Sequence, residues 1–243
     1  SPIRPLFWIF LFLGMNYFIV SRGVSDGIER ASNILMPLLF VILIAFCVRS
    51  LFLPGAKEGL SFLFHPDFSK IDSGVVLRAM GQAFFSLSLG MGTLITYASY
   101  FSDKTSLPKT AVTVASLDTF VAVLAGIIIF PAVFSFGISP SQGPELIFIT
   151  LPNVFQQIPG AYIWSVLFFV LITVAALTST ISLCEVAIAF LHEEFHFTRR
   201  RASQILIFIC LVMSTLCSLS FGPLSDFYIL GFSIFNFCDF LAS

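Results

Sequence analysis

The feature that most constrains this chain is a series of long apolar runs. Ile34 to Leu53, Val75 to Phe101, Ala111 to Phe136, Ala161 to Leu191 and Ile205 to Phe221 each carry few charges. Leu6 to Val20 and Phe227 to Ser243 are shorter runs of the same kind. About 20 apolar residues cross the hydrocarbon core of a bilayer as a helix. Hydrocarbon offers the backbone no water, so a span must satisfy its own N–H and C=O groups, and runs of this length do so as helices. Composition agrees, with 58% of the 243 residues hydrophobic, 31 of them Phe, and 10% charged. A soluble domain carries roughly 25% charged residues, and disorder needs the opposite balance. A net charge of −1 offers no basic surface for nucleic acid. The expectation is an all-α integral membrane protein, one transmembrane domain over 1–243. Its helices are expected at about 5–20, 32–53, 75–101, 109–136, 160–194, 203–221 and 227–243.

Between the runs, Ser21 to Ser32 and Pro54 to Ser73 read as polar loops, and Gly137 to Gly160 as a proline-rich connection. One set of loops holds Arg22, Arg30, Lys104, Lys109 and Arg199 to Arg201; the other holds Arg4, Lys57 and Lys70, with Arg49 and Arg78 at helix ends on the same side. The excess of Lys and Arg places the first set in the cytoplasm. The five cysteines all lie in apolar sequence without a CxxC pair and read as packing thiols.

Three acids, Asp118, Glu185 and Asp239, fall within apolar runs. A carboxylate at membrane depth is costly and marks a functional site by default. No basic residue except Arg49 shares that depth, so the expected partners are cations, protons or bases from elsewhere. The run Ser86-Leu87-Ser88-Leu89-Gly90-Met91-Gly92 places poor helix formers in mid-span. A helix unwound there frees backbone groups for an ion or polar ligand; close helix packing is the alternative. Ala175, Thr178 and Ser179 are spaced i, i+3, i+4, which puts a carbonyl and two hydroxyls on one helical face. They suit a hard monovalent cation, or the hydroxyls bond back to the helix. His192-Glu193-Glu194-Phe195-His196 matches H-E-x-x-H, which on a helix binds zinc beside a general base. An intramembrane zinc metalloprotease is therefore an alternative, although His65, the remaining histidine, lies across the membrane by the topology above.

Several motifs then carry a resemblance. Gly81-Gln82-Ala83-Phe84-Phe85-Ser86 through Gly92, continuing to Ile95-Thr96-Tyr97-Ala98-Ser99-Tyr100, resembles the broken sixth helix of the neurotransmitter:sodium symporter family. Ser21-Arg22-Gly23 with Gly27-Ile28-Glu29-Arg30, Phe148-Ile149-Thr150-Leu151-Pro152 and Ala176-Leu177-Thr178-Ser179 resemble further stretches of that family in order. The resemblance implies a partial inverted-repeat fold of the leucine-transporter type, from the fourth helix to the start of the tenth. It also implies sodium-coupled symport of a neutral amino acid or related small amine and no enzyme activity. The front helices would come from the same or a separate chain, the latter making this a half-transporter.

The implied roles follow the matched positions. Phe85 resembles the lid over substrate, and Ser88 lies in the turn that receives the amino group. Met91 and Leu183 resemble pocket positions, and Ser179 is counted with them. Ser86 and Asp118 resemble ligands of a first sodium, and Ala175, Thr178 and Ser179 those of a second. Gln82 and Asp239 resemble outer-gate residues, and Tyr100 and Glu193 inner-gate residues. Many family members place Asn where this chain has Asp118. The extra charge, with no polar group at Ala122, implies independence from chloride; the alternative is that Asp118 exchanges protons as the empty carrier returns.

Overall fold

A computed structural model describes residues 3–65, 67–102, 104–137, 160–225 and 227–242. The expected connection from Gly137 to Gly160, with Phe148 to Pro152, falls almost wholly outside them. So does the Asp239 side chain.

The first helix, α1, spans Ile3–Val20. A π-helical turn, Val24–Glu29, runs straight into α2, Arg30–Leu51. This differs from the polar loop expected over 21–32, because Gly27 lets the turn press against α1. A short helix, α3, covers Ala56–Phe64, where a loop was expected. Lys57 and Glu58 give this segment a polar signature, yet its glycines and apolar residues lie on a neighbouring helix. The third apolar run forms two helices, α4 (Ser73–Ser86) and α5 (Thr93–Ser99). Next come α6 (Leu107–Ser135), α7 (Ala161–Glu193) and α8 (Arg199–Leu219). A hairpin pairs β1 (Tyr228–Ile229) with β2 (Phe232–Ser233) antiparallel, and α9 (Ile234–Ala242) follows. Gly231, at φ +86°, permits that turn, so the helix expected over 227–243 begins only at Ile234.

Among the described residues, four helical stretches are long and apolar enough to cross a membrane: Val24–Leu51, Leu107–Ser135, Ala161–Glu193 and Arg199–Leu219. The number falls short of seven because the third run is broken, α1 is slightly short and the last run is divided.

The chain forms two compact units, Leu35–Ala176 and Ser1–Ile34 with Leu177–Ser243. In the first, Ile42, Leu43, Phe46 and Cys47 of α2 pack with Ile128 and Ala132 of α6 and Phe168 of α7. The Phe46 ring meets Trp164 edge-on at 5.3 Å. The Ser50 hydroxyl donates to the Ile128 carbonyl at 3.0 Å, which satisfies a polar group inside the core. The α3 helix lies against α6 at glycine. A Cβ on Gly59 would stand 2.4 Å from the Pro131 nitrogen. At the Gly55 end, its N–H donates to the Ser135 hydroxyl at 2.8 Å. In the second unit, Val20, Ile181, Ile188, Ala202 and Ser203 are fully or almost fully buried.

Candidate functional site

The site is built on the break between α4 and α5. The α4 helix ends at Ser86, where the Leu87 N–H still reaches the Ala83 carbonyl. Ser88, Gly90 and Gly92 then take left-handed conformations, at φ +53°, +83° and +78°. Gly adopts such angles without steric cost, whereas Ser88 does so under strain, a recurrent property of functional turns. Gly92 caps α5, and the Thr96 N–H donates to its carbonyl at 2.9 Å. The expected mid-run break is therefore present.

Across that break the Ser86 hydroxyl donates to Asp118 Oδ1 of α6 at 2.7 Å. Two residues separated by 32 positions thus meet at the end of a helix, and both were expected at one cation site. Thr93, the first residue of α5, is 8% exposed, and its hydroxyl has no hydrogen-bond partner among the described residues. Thr93 is not among the residues expected at the site, although its place directly after Gly90-Met91-Gly92 marks a hydroxyl at the break.

The other expected positions occupy their own elements. Gln82 and Phe85 are exposed on α4, Ser88 is half-buried in the turn, and Met91 is exposed. Tyr100 follows α5, its ring 6.4 Å from that of Tyr97. Ala175 and Thr178 are half-buried on α7, and Ser179 and Leu183 are exposed there. The Ser182 hydroxyl donates to the Thr178 carbonyl at 3.2 Å, so back-bonding occurs on this helix. Glu193 is the last residue of α7.

Two expectations are corrected. Glu185, an acid for which the sequence offers no basic partner at its depth, has one. Its fully buried carboxylate is held by Arg199 of α8, Nη1 donating to Oε1 at 2.9 Å and Nη2 to Oε2. Arg199 Nε also donates to the Val20 carbonyl at 3.0 Å. The signal lay in the short connection after Glu193. It turns α8 back along α7, so a long side chain at the start of α8 reaches two turns down its neighbour. The second correction concerns His192 and His196. The α7 helix ends at Glu193, and His196 sits at φ +54° beyond it. The two imidazoles therefore do not share a helical face, and His192 Nδ1 lies 2.7 Å from the Phe197 carbonyl oxygen. Among the described residues no three His, Cys, Asp or Glu side chains gather to hold a metal. The metalloprotease reading loses its geometric basis.

Apolar helices, one of them unwound in mid-run beside an acid, make up the architecture of a secondary transporter. The sequence model of the Sodium:neurotransmitter symporter family matches residues 5–238. This chain belongs to that family, whose members are transporters and not enzymes. It is 38% identical over 243 residues to the uncharacterized sodium-dependent transporter YhdH of Bacillus subtilis, covering 100% of this chain and 54% of that protein. An uncharacterized sodium-dependent transporter of Haemophilus influenzae is 41% identical over 241 residues, covering 99% and 53%. The crystal structure of MhsT in complex with L-phenylalanine superposes with a TM-score of 0.87 at 51% identity, covering 100% of this chain and 56% of that one. The chain thus spans about half the length of these relatives.

Proposed function

We propose that the full-length protein is a sodium-coupled symporter of a neutral amino acid, working by alternating access without chloride. The observation that carries this reading is the hydrogen bond between Ser86 and Asp118 across the broken helix. A hydroxyl and a carboxylate at one point form a hard oxygen set suited to sodium. In this reading sodium is cargo, not a resident cofactor. The Asp118 charge does the work of a bound anion, since Ala122, one turn on, offers no polar group.

The second sodium takes the Ala175 carbonyl and the Thr178 and Ser179 hydroxyls. Substrate lies under Phe85, with its amino group at the Ser88 turn and its side chain toward Met91, Ser179 and Leu183. Met91 and Leu183 make the pocket apolar, and the L-phenylalanine bound by MhsT supports a hydrophobic neutral substrate. Gln82 and Asp239 belong to the outer gate, Tyr100 and Glu193 to the inner gate. The protein resides in a bacterial plasma membrane with the Arg22, Arg30, Lys104 and Arg199 to Arg201 loops cytoplasmic. The rest of the transporter comes from the same chain or a partner. A membrane potential contributes about 2.3 kcal/mol per charge per 100 mV, so two inward sodium ions drive substantial accumulation.

The test is uptake by the full-length protein with chloride replaced by gluconate. Uptake should persist, and Asp118→Asn should weaken it or make it chloride-dependent. Loss of wild-type uptake in gluconate contradicts the assignment of Asp118.

A further inference from the structure

A second polar site lies where α1 gives way to α2. The π-helical turn folds back so closely that a Cβ on Gly27 would meet the Ile19 carbonyl oxygen at 2.0 Å. Beside this contact is a cavity of about 180 Å³ lined in part by Phe18, Arg22, Asp26, Arg30 and Ile34. Phe18 and Ile34 are 58% and 64% exposed and belong to the apolar sequence on either side. The two arginines come from the polar stretch between, where their charged ends meet the headgroup layer. The Arg22 guanidinium carbon lies 3.7 Å from the centroid of the Phe18 ring. This stacking uses a face of the guanidinium and leaves its N–H edge for a ligand. Among the described residues, neither Arg22 nor Arg30 forms a side-chain ion pair or hydrogen bond.

Two guanidinium forks at one cavity match the oxygens of a phosphodiester. Inorganic phosphate would use the arginines but not the apolar walls, whereas a phospholipid uses both. Asp26 narrows the headgroup, because its carboxylate opposes a second anion and attracts an ammonium. We infer that this cavity holds the headgroup of a phosphatidylethanolamine, with phosphate on Arg22 and Arg30 and ammonium on Asp26. An acyl chain lies along Phe18 and Ile34.

The test is native mass spectrometry of the full-length protein with equal amounts of dioleoyl phosphatidylethanolamine, phosphatidylglycerol and phosphatidylcholine, and a parallel sample with inorganic phosphate. The ethanolamine lipid should be retained in preference. The double variant Arg22→Ala/Arg30→Ala should lose its charge-assisted contacts and hence retention by roughly tenfold or more. Asp26→Asn should keep phospholipid binding and lose the headgroup preference. If the alanine variant does not fold, Arg22→Lys/Arg30→Lys keeps both charges but removes the forks, and its retention should fall. Equal retention of the three lipids by the wild type overturns the inference. So does unchanged retention by the folded arginine variant, or displacement of lipid by phosphate alone.

Discussion

Arg199 grips Glu185 with both Nη atoms while its Nε holds the Val20 carbonyl. One side chain thus ties the end of α1 to α7 and the start of α8. Glu185 is fully buried and Arg199 is largely so. Arg199→Ala therefore strands a charge and a carbonyl, and removing one partner of a buried pair costs about 3–5 kcal/mol. Thermal unfolding of the full-length protein should show that loss. Glu185→Leu/Arg199→Met should recover much of it, because removing both charges also removes the unpaired one. Equal stability of Arg199→Ala and wild type would contradict the paired geometry.

The hydrogen bond from Ser86 to Asp118 makes a prediction about sodium. If both oxygens hold the ion, Ser86→Ala should raise the half-saturating sodium concentration by about tenfold, the scale of one charge-assisted contact. Ser86→Thr retains the hydroxyl and should stay close to wild type. The measurement is a sodium titration of uptake at fixed substrate. An unchanged titration in Ser86→Ala would remove Ser86 from the ligand set.

Gly59 shows how closely α3 packs. Since a Cβ there would stand 2.4 Å from backbone in α6, Gly59→Ala must push the two helices apart. Overpacking of this kind costs about 1–3 kcal/mol. The unfolding midpoint should fall, and Gly14→Ala, where the added atom meets nothing within 4 Å, serves as the control.

The histidine motif also makes a prediction. Because His196 lies beyond the end of α7, His192 and His196 do not form a chelating pair. His196→Ala should leave the zinc content of purified protein unchanged. One tightly bound zinc per chain, lost in that variant, would restore the enzyme reading.

The parts legible in the sequence were those written in local pattern. Apolar length marked the spanning helices, and Ser86 to Gly92 marked the break through residues that resist helix formation. The meeting of Ser86 with Asp118 came through family resemblance, since a contact across 32 residues leaves no local trace. What escaped depended on tertiary contact. The α3 helix reads as a polar loop until Gly55 and Gly59 are seen against α6. Glu185 reads as unpaired until α8 folds back to deliver Arg199. H-E-x-x-H misled because the motif assumes a helix that ends at Glu193.

The most direct test of the account is uptake of a radiolabelled hydrophobic amino acid by the full-length protein in proteoliposomes under an imposed sodium gradient. Accumulation should follow inward sodium, collapse when potassium replaces sodium, and survive when gluconate replaces chloride. Equal uptake with and without sodium would contradict it.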